Sequence, residues 1–122
     1  MSKIALVVEP SSDMAKVAAA VRAVTGQGVG DIRRSVRSGR PVAEYVLFQS
    51  DHDEVAARLR RLGRDLSRAG VPVRAYELDE SESYDSLDDP SLAEIPLSTL
   101  ANILNTHDRE VERQQELSAE GL

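Results

Sequence analysis

Cysteine is absent from the 122-residue chain, which excludes disulfides, thiolate metal sites and thiol nucleophiles. Aromatic residues make up 3% of the sequence. So few rings argue against binding to single-stranded nucleic acid, which relies on stacking with exposed bases. No apolar run has the length of a membrane-spanning helix, and the N-terminal MSKIALVVEP is too short for a secretory signal. We therefore expect a cytoplasmic protein with an aliphatic core.

The net charge of −6 is distributed unevenly along the chain. Residues 1–78 hold 13 basic and 9 acidic residues, a balance of +4, whereas residues 79–122 hold 2 basic and 12 acidic residues, a balance of −10. Hydrophobic residues make up 41% of the sequence, enough for one folded domain. The pattern predicts a mildly basic folded body followed by a strongly acidic tail.

Hydrophobic periodicity divides residues 1–78 into six elements. Capping signals set their limits: Asp13 can begin the first helix, and Gly26 and Gly70 can end the first and third helices. The predicted elements are strand 4–8, a helix ending near 25, helix 31–38, strand 43–49, helix 53–69 and strand 71–78. This order predicts an α/β (α+β) domain in which a three-stranded sheet carries its helices on one face. The other face is expected to be open or covered by the tail.

The remaining residues divide into a polar and an amphipathic part. Residues 79–94 are rich in Asp, Glu and Ser, and predict a solvated acidic linker. Residues 95–122 predict a helical tail with an apolar stripe formed by Leu97, Leu100, Leu104 and Val111. This stripe can cover the open sheet face, pair two chains into a homodimer, or dock in a partner's groove. The linker can also lie across the arginines of the body and screen them.

Arginines on the short second helix are the strongest candidate binding residues. Spacings of three and four place Arg33, Arg37 and Arg40 on one side, with Arg34 beside them. Arg61, Arg64 and Arg68 share a face of the long helix. These residues are either an ordinary solvated surface or a docking patch for an acidic protein face or, less favourably, for phosphates. Because the whole chain is acidic, duplex nucleic acid is the weaker choice of partner.

No residue pattern predicts catalysis, a cofactor or a metal. The connector Gly26-Gln27-Gly28-Val29-Gly30 lacks the Lys-Ser/Thr of a phosphate-binding loop and is typical of a tight turn between helices. The cluster 51–54, Asp-His-Asp-Glu, is better explained as a helix N-terminus than as a metal site. We therefore expect a protein that is not an enzyme.

One stretch resembles a known family, the C-terminal domain of the bacterial ribosomal stalk protein L7/L12. The stretch is Val17-x-x-Ala20-Val21-Arg22-x-Val24-Thr25-Gly26-x-Gly28-Val29-x-Asp31, followed later by Ala69-Gly70-Val71-x-Val73. The resemblance implies a three-stranded antiparallel sheet with three helices. In that family the first two helices and their glycine loop dock translational GTPases. The positions carried over are Arg22, Gly28, Asp31 and Arg33.

Two departures separate the chain from that family. Ala18 and Ala19 stand where the family has Ile and Lys, and the family's N-terminal dimerisation region has no counterpart. The adaptor ClpS shares the architecture, and residues 35–40 are similar to part of it, but Arg37 replaces its ligand-binding His. We therefore expect an adaptor-like domain that docks an acidic partner. The alternative is an antitoxin- or immunity-type inhibitor whose acidic tail occupies a basic site on a toxin or nuclease.

Overall fold

A computed structural model describes residues 2–10, 13–47 and 52–106, with the backbone alone at residue 52. Within these residues the chain forms four strands and four helices. They are β1 (Ser2–Val8), α1 (Met14–Thr25), α2 (Val29–Ser38), β2 (Ala43–Val46), α3 (His52–Arg68), β3 (Val73–Asp79), β4 (Glu94–Ile95) and α4 (97–106). All strand pairs are antiparallel, in the spatial order β2-β1-β3-β4. The mixed α/β class is confirmed, and the sheet has one strand more than expected.

Local signals explain where the first two helices begin and end. The Asp13 carboxylate accepts a hydrogen bond from the Lys16 backbone N–H at 3.4 Å and caps α1. Gly26 ends α1 with a φ of 74°, a left-handed conformation that glycine adopts without steric cost. α2 begins at Val29, two residues before the predicted start at Asp31, because the extended Gly28 already serves as its N-cap.

The main core lies between the sheet and the helices. Alternation along β1 directs Ile4, Leu6 and Val8 to this side, where all three are buried. They pack in one cluster with apolar residues of α1, α2 and α3, namely Val17, Val21, Ile32, Val36, Val55, Leu59, Leu62 and Leu66. The apolar sides of these three helices therefore bury one face of the sheet.

The second face of the sheet is covered by the segment that we expected to be a solvated linker. Ala5, Val7, Tyr76 and Leu78 form a small second cluster on this face, against which Tyr84, Leu87 and Ala93 pack. The rings of Tyr76 and Tyr84 meet edge-to-face, with centroids 5.1 Å apart. The segment forms two 3-10 turns, Tyr84–Ser86 and Pro90–Ala93. Enough apolar residues are spaced through this acidic stretch to hold it on the sheet.

The fourth strand is formed by the end of this same segment. β4 pairs Ile95 with Ala75 and Glu94 with Tyr76, at the outer edge of β3. Two residues are too short a run for sequence periodicity to reveal, and the acidic composition around them predicted no strand. β4 therefore places the following helix beside β3 and α3.

The tail helix packs on the helical side of the sheet rather than on the second face. In α4, Leu100 and Leu104 join the main core with 7% and 2% exposure. Asn105 Oδ1 accepts a hydrogen bond from Arg60 Nη2 at 3.1 Å. Leu97 does not join this core, since 48% of it is exposed. Leu97 borders a groove whose lining includes Gly63, Ser67 and Gly70. These three residues carry too few side-chain atoms to cover the leucine. Val111 lies outside the described residues.

Candidate protein-docking surface

The candidate surface is the outer side of α2. Ile32 and Val36 are completely buried in the main core, so the opposite side of the helix faces solvent. Arg33, Arg34 and Arg37 all lie on that exposed part. A short helix anchored by two buried aliphatic residues holds these guanidinium groups on a fixed backbone.

The three arginines of α2 differ in whether they already have an acidic partner. Arg34 pairs with Asp31 one turn earlier on the same helix. Arg33 and Arg37 have no ion pair with any residue in the described part of the chain. Exposed pairs such as that of Arg34 contribute little to stability. Among the described residues, two exposed guanidinium groups without an acidic partner therefore stand beside one that is partly neutralised.

Arg40 does not continue this row, contrary to the prediction from spacing. α2 ends at Ser38, and Gly39 turns the chain with a φ of 72°, so helical spacing no longer applies at Arg40. The Arg40 Nε atom lies 3.7 Å from Asp85 Oδ1 in the acidic segment. That segment therefore reaches the edge of the basic surface at Arg40, while Arg33 and Arg37 remain uncovered by described residues.

The turn between α1 and α2 is fastened by residues that sequence reasoning did not single out. Thr25 Oγ1 donates to the Val21 carbonyl at 2.8 Å and accepts the Gln27 backbone N–H at 3.2 Å. Gln27 Nε2 in turn donates to the Val42 carbonyl at 2.7 Å, which ties the turn to the start of β2. The sequence signal for this arrangement is a threonine directly before the helix-ending glycine, because threonine hydroxyls often bond to nearby backbone groups. These bonds position the N-terminus of α2.

The glycine turn has the local chemistry of a connector rather than of an anion site. A Cβ at Gly28 would lie 3.7 Å from the Asp31 carboxylate, so an acid already occupies the N-terminal end of α2. A carboxylate there is favoured by the helix dipole and repels a phosphate. Arg22, in the last turn of α1, is exposed, and α1 contacts both α2 and α3. Arg22, Asp31 and Arg33 thus lie on two helices in contact, and Gly28 lies in the turn between them.

The outer side of α3 is a second basic surface. Arg64 and Arg68 are exposed without an ion pair to any described residue, whereas Arg61 lies 3.7 Å from Asp65 one turn later. Arg60 is engaged by Asn105 of α4. The predicted sharing of a face by Arg61, Arg64 and Arg68 agrees with an α3 that buries Leu59, Leu62 and Leu66 on its other side.

The pKa is shifted at Arg74 of β3 and at Tyr84 of the first 3-10 turn. The nearby Glu9 carboxylate raises the pKa of Arg74, and the two side chains approach to 2.7 Å. Burial raises the pKa of Tyr84. No group of three or more metal-ligating side chains occurs in the described residues. Asp51, the side chain of His52, and His107 lie outside them.

Comparisons with known protein families, curated proteins and solved structures found no relative of this chain. The resemblance to the stalk protein therefore rests on the residues quoted above. None of the described helices is long and apolar enough to cross a membrane.

Proposed function

We propose that the protein is a non-catalytic, adaptor-like domain that docks an acidic face of another protein through α2. The observation that carries the proposal is the pair Arg33 and Arg37, exposed and without acidic partners in the described chain, on a helix anchored by Ile32 and Val36. Arginine is enriched at protein interfaces because its planar guanidinium makes paired hydrogen bonds to carboxylates. A rigid helix reduces the ordering cost of forming such bonds.

A protein partner is favoured over a nucleic acid by the surrounding charge. Asp31 stands in the same helix as the arginines, and the complete chain carries a net charge of −6. Phosphate binding gains its affinity from many uninterrupted cationic contacts, which this surface does not offer. The resemblance to stalk proteins supports the same choice, since their corresponding two helices bind proteins.

The antitoxin-type alternative receives less support from the packing. It requires the acidic tail, residues 79–122, to enter a basic site on a toxin or nuclease. Tyr84 and Leu87 instead hold residues 84–93 against the domain's own sheet. Extending that segment into a partner would expose the apolar cluster beneath it, which is unfavourable.

The test is capture of partners from the native host with matched charge variants, followed by mass spectrometry. The double variant Arg33→Glu/Arg37→Glu should lose the captured protein, whereas Arg64→Glu/Arg68→Glu, with the same charge change on α3, should retain it. Both pairs are exposed, so circular dichroism should show an unchanged fold. Retention by the α2 variant, or equal loss from both variants, would refute α2 as the docking surface.

A further inference from the structure

A groove on the other side of the molecule has the properties of a second binding surface. Two adjoining depressions of about 650 and 350 Å³ lie between the C-terminal half of β3 and the turn Pro90–Ala93. They share Glu77, Leu78, Leu92 and Ala93 as lining residues. β4 pairs only with Ala75 and Tyr76, so the groove follows β3 beyond the point where the neighbouring strand ends.

The groove exposes an apolar side chain on an ordered turn. Leu92 is 86% exposed, the highest value among the large hydrophobic residues that the structure describes. Its turn begins with Pro90 and is capped by Asp89, which accepts bonds from the Ser91 backbone N–H and hydroxyl at 3.1 and 2.6 Å. Leu92 is therefore held at the groove while nearly all of its surface contacts water. Covering it with an apolar group would be favourable.

The charge around the groove is mainly negative. Its carboxylates are Glu77, Asp79, Glu82, Asp88, Asp89 and Glu94, and no basic side chain is among the described residues that line it. None of these acids has an ion pair within the described chain. Two cations lie near its edge, since Lys3 Nζ donates to the Glu82 carbonyl at 2.7 Å and Glu94 is among the carboxylates that raise the pKa of Arg74. Six carboxylates against these two cations leave an excess of negative charge around Leu92.

We propose that this groove binds an extended segment of another protein in which basic and apolar residues alternate. In an extended chain alternate side chains point to opposite sides. One set can cover Leu92, while the flanking basic side chains reach the carboxylates that line the groove. The opposite charges of α2 and the groove mean that the two surfaces select different partners, so this proposal is independent of the one for α2.

The probe is an acetylated and amidated five-residue peptide that alternates lysine with leucine. A peptide with serine in place of leucine has the same charge and serves as the comparison. Fluorescence anisotropy should show that the leucine peptide binds at least about tenfold more tightly, a difference of ~1.4 kcal/mol. Titration followed by ¹⁵N-¹H NMR should shift the amide signals of Glu77, Leu78, Leu92 and Ala93. Equal affinities, or shifts confined to α2, would overturn the proposal.

Matched variants separate the groove from general charge and general hydrophobicity. Leu92→Ser and Asp88→Lys should each weaken binding of the leucine peptide severalfold. Leu97→Ser removes an exposed leucine outside the groove, and Glu54→Lys reverses an exposed acid outside it, so both should bind normally. Arg33→Glu/Arg37→Glu should also bind normally, which distinguishes failure here from failure of the α2 proposal. An equal effect of Leu92→Ser and Leu97→Ser would refute a specific groove.

Discussion

The two faces of the sheet are covered by chemically different layers, although alternate residues of one strand, β1, pack under both layers. On the helical side, Ile4, Leu6 and Val8 of β1 pack under amphipathic helices, while on the other side Ala5 and Val7 pack under an acidic segment. The helices place arginines on the outside, and the acidic segment places carboxylates there. The difference shows that a segment can cover a sheet either with apolar residues at regular helical spacing or with a few irregularly spaced apolar residues.

The largest expected effect comes from the helical side of this comparison. Leu62→Ala should lower the free energy of unfolding by roughly 2–5 kcal/mol, because Leu62 is completely buried in the main core. Urea denaturation measures the change. Leu97→Ala is the control, with an expected loss below about 0.5 kcal/mol because the side chain already contacts solvent. Similar losses for the two variants would contradict the core described for α3.

The tail helix should behave as part of the helical side. Leu104→Ala is expected to cost about 2–3 kcal/mol, because a leucine with 2% exposure leaves a cavity between α4 and the core. Amides of residues 100–104 should remain protected from hydrogen exchange at both low and high salt, since apolar packing is not screened. Loss of protection at high salt alone would make electrostatic attraction the main cause of docking.

The cover of the second face should contribute less. Tyr84→Ala removes the edge-to-face contact with Tyr76 and part of a small cluster, so we expect a loss of about 1–2 kcal/mol. Hydrogen exchange should increase in residues 84–93 while α3 stays protected. A global loss of protection would mean that the two faces unfold as one unit.

High pH should loosen this cover selectively. Burial raises the pKa of Tyr84, so folding favours its neutral form. The contribution of neutral Tyr84 to folding stability is complete below about pH 10, the ordinary pKa of tyrosine. It is lost as the pH rises through the higher pKa that Tyr84 has in the folded protein. The difference in absorbance at 295 nm between the natural protein and Tyr84→Phe should report a midpoint above that of free tyrosine. A midpoint at or below the free value would contradict the described burial.

The smallest effect should come from the ion pair that joins the two layers. Asp85→Asn breaks the exposed contact with Arg40, so we expect a change below about 0.5 kcal/mol that vanishes in high salt. Denaturation at two ionic strengths measures it. A change above about 1 kcal/mol would show that this pair, rather than Tyr84 and Leu87, holds the cover.

The folded body could be predicted from the sequence because its signals are local. Asp13 marks a helix start through its side-chain carboxylate, whereas Gly26, Gly39 and Gly70 mark helix ends through positive φ. The leucines of α3 repeat at helical spacing. The acidic segment could not be predicted because its contacts are non-local. Its composition predicted solvation, whereas three scattered apolar residues, Tyr84, Leu87 and Ala93, find a sheet face formed by residues 5–7 and 76–78.

The candidate site also has features that local sequence signals predict and features that depend on non-local contacts. The exposure of Arg33, Arg34 and Arg37 followed from their spacing around Ile32 and Val36, because a helix repeats every ~3.6 residues. The pairing of Arg34 with Asp31 is equally local, since the two residues are one helical turn apart. The position of Arg40, by contrast, depended on the turn at Gly39 and on Asp85, 45 positions away.

The sequence by itself determined the helices of the body, their buried stripes and the separation of positive from negative charge, since each depends on neighbours within a few turns. Long-range packing decided that the acidic segment covers the sheet and that α4 joins the helical side. It also left Leu92 exposed beside several carboxylates. These outcomes depend on which apolar surfaces are left after the body has packed, and no local pattern records that remainder.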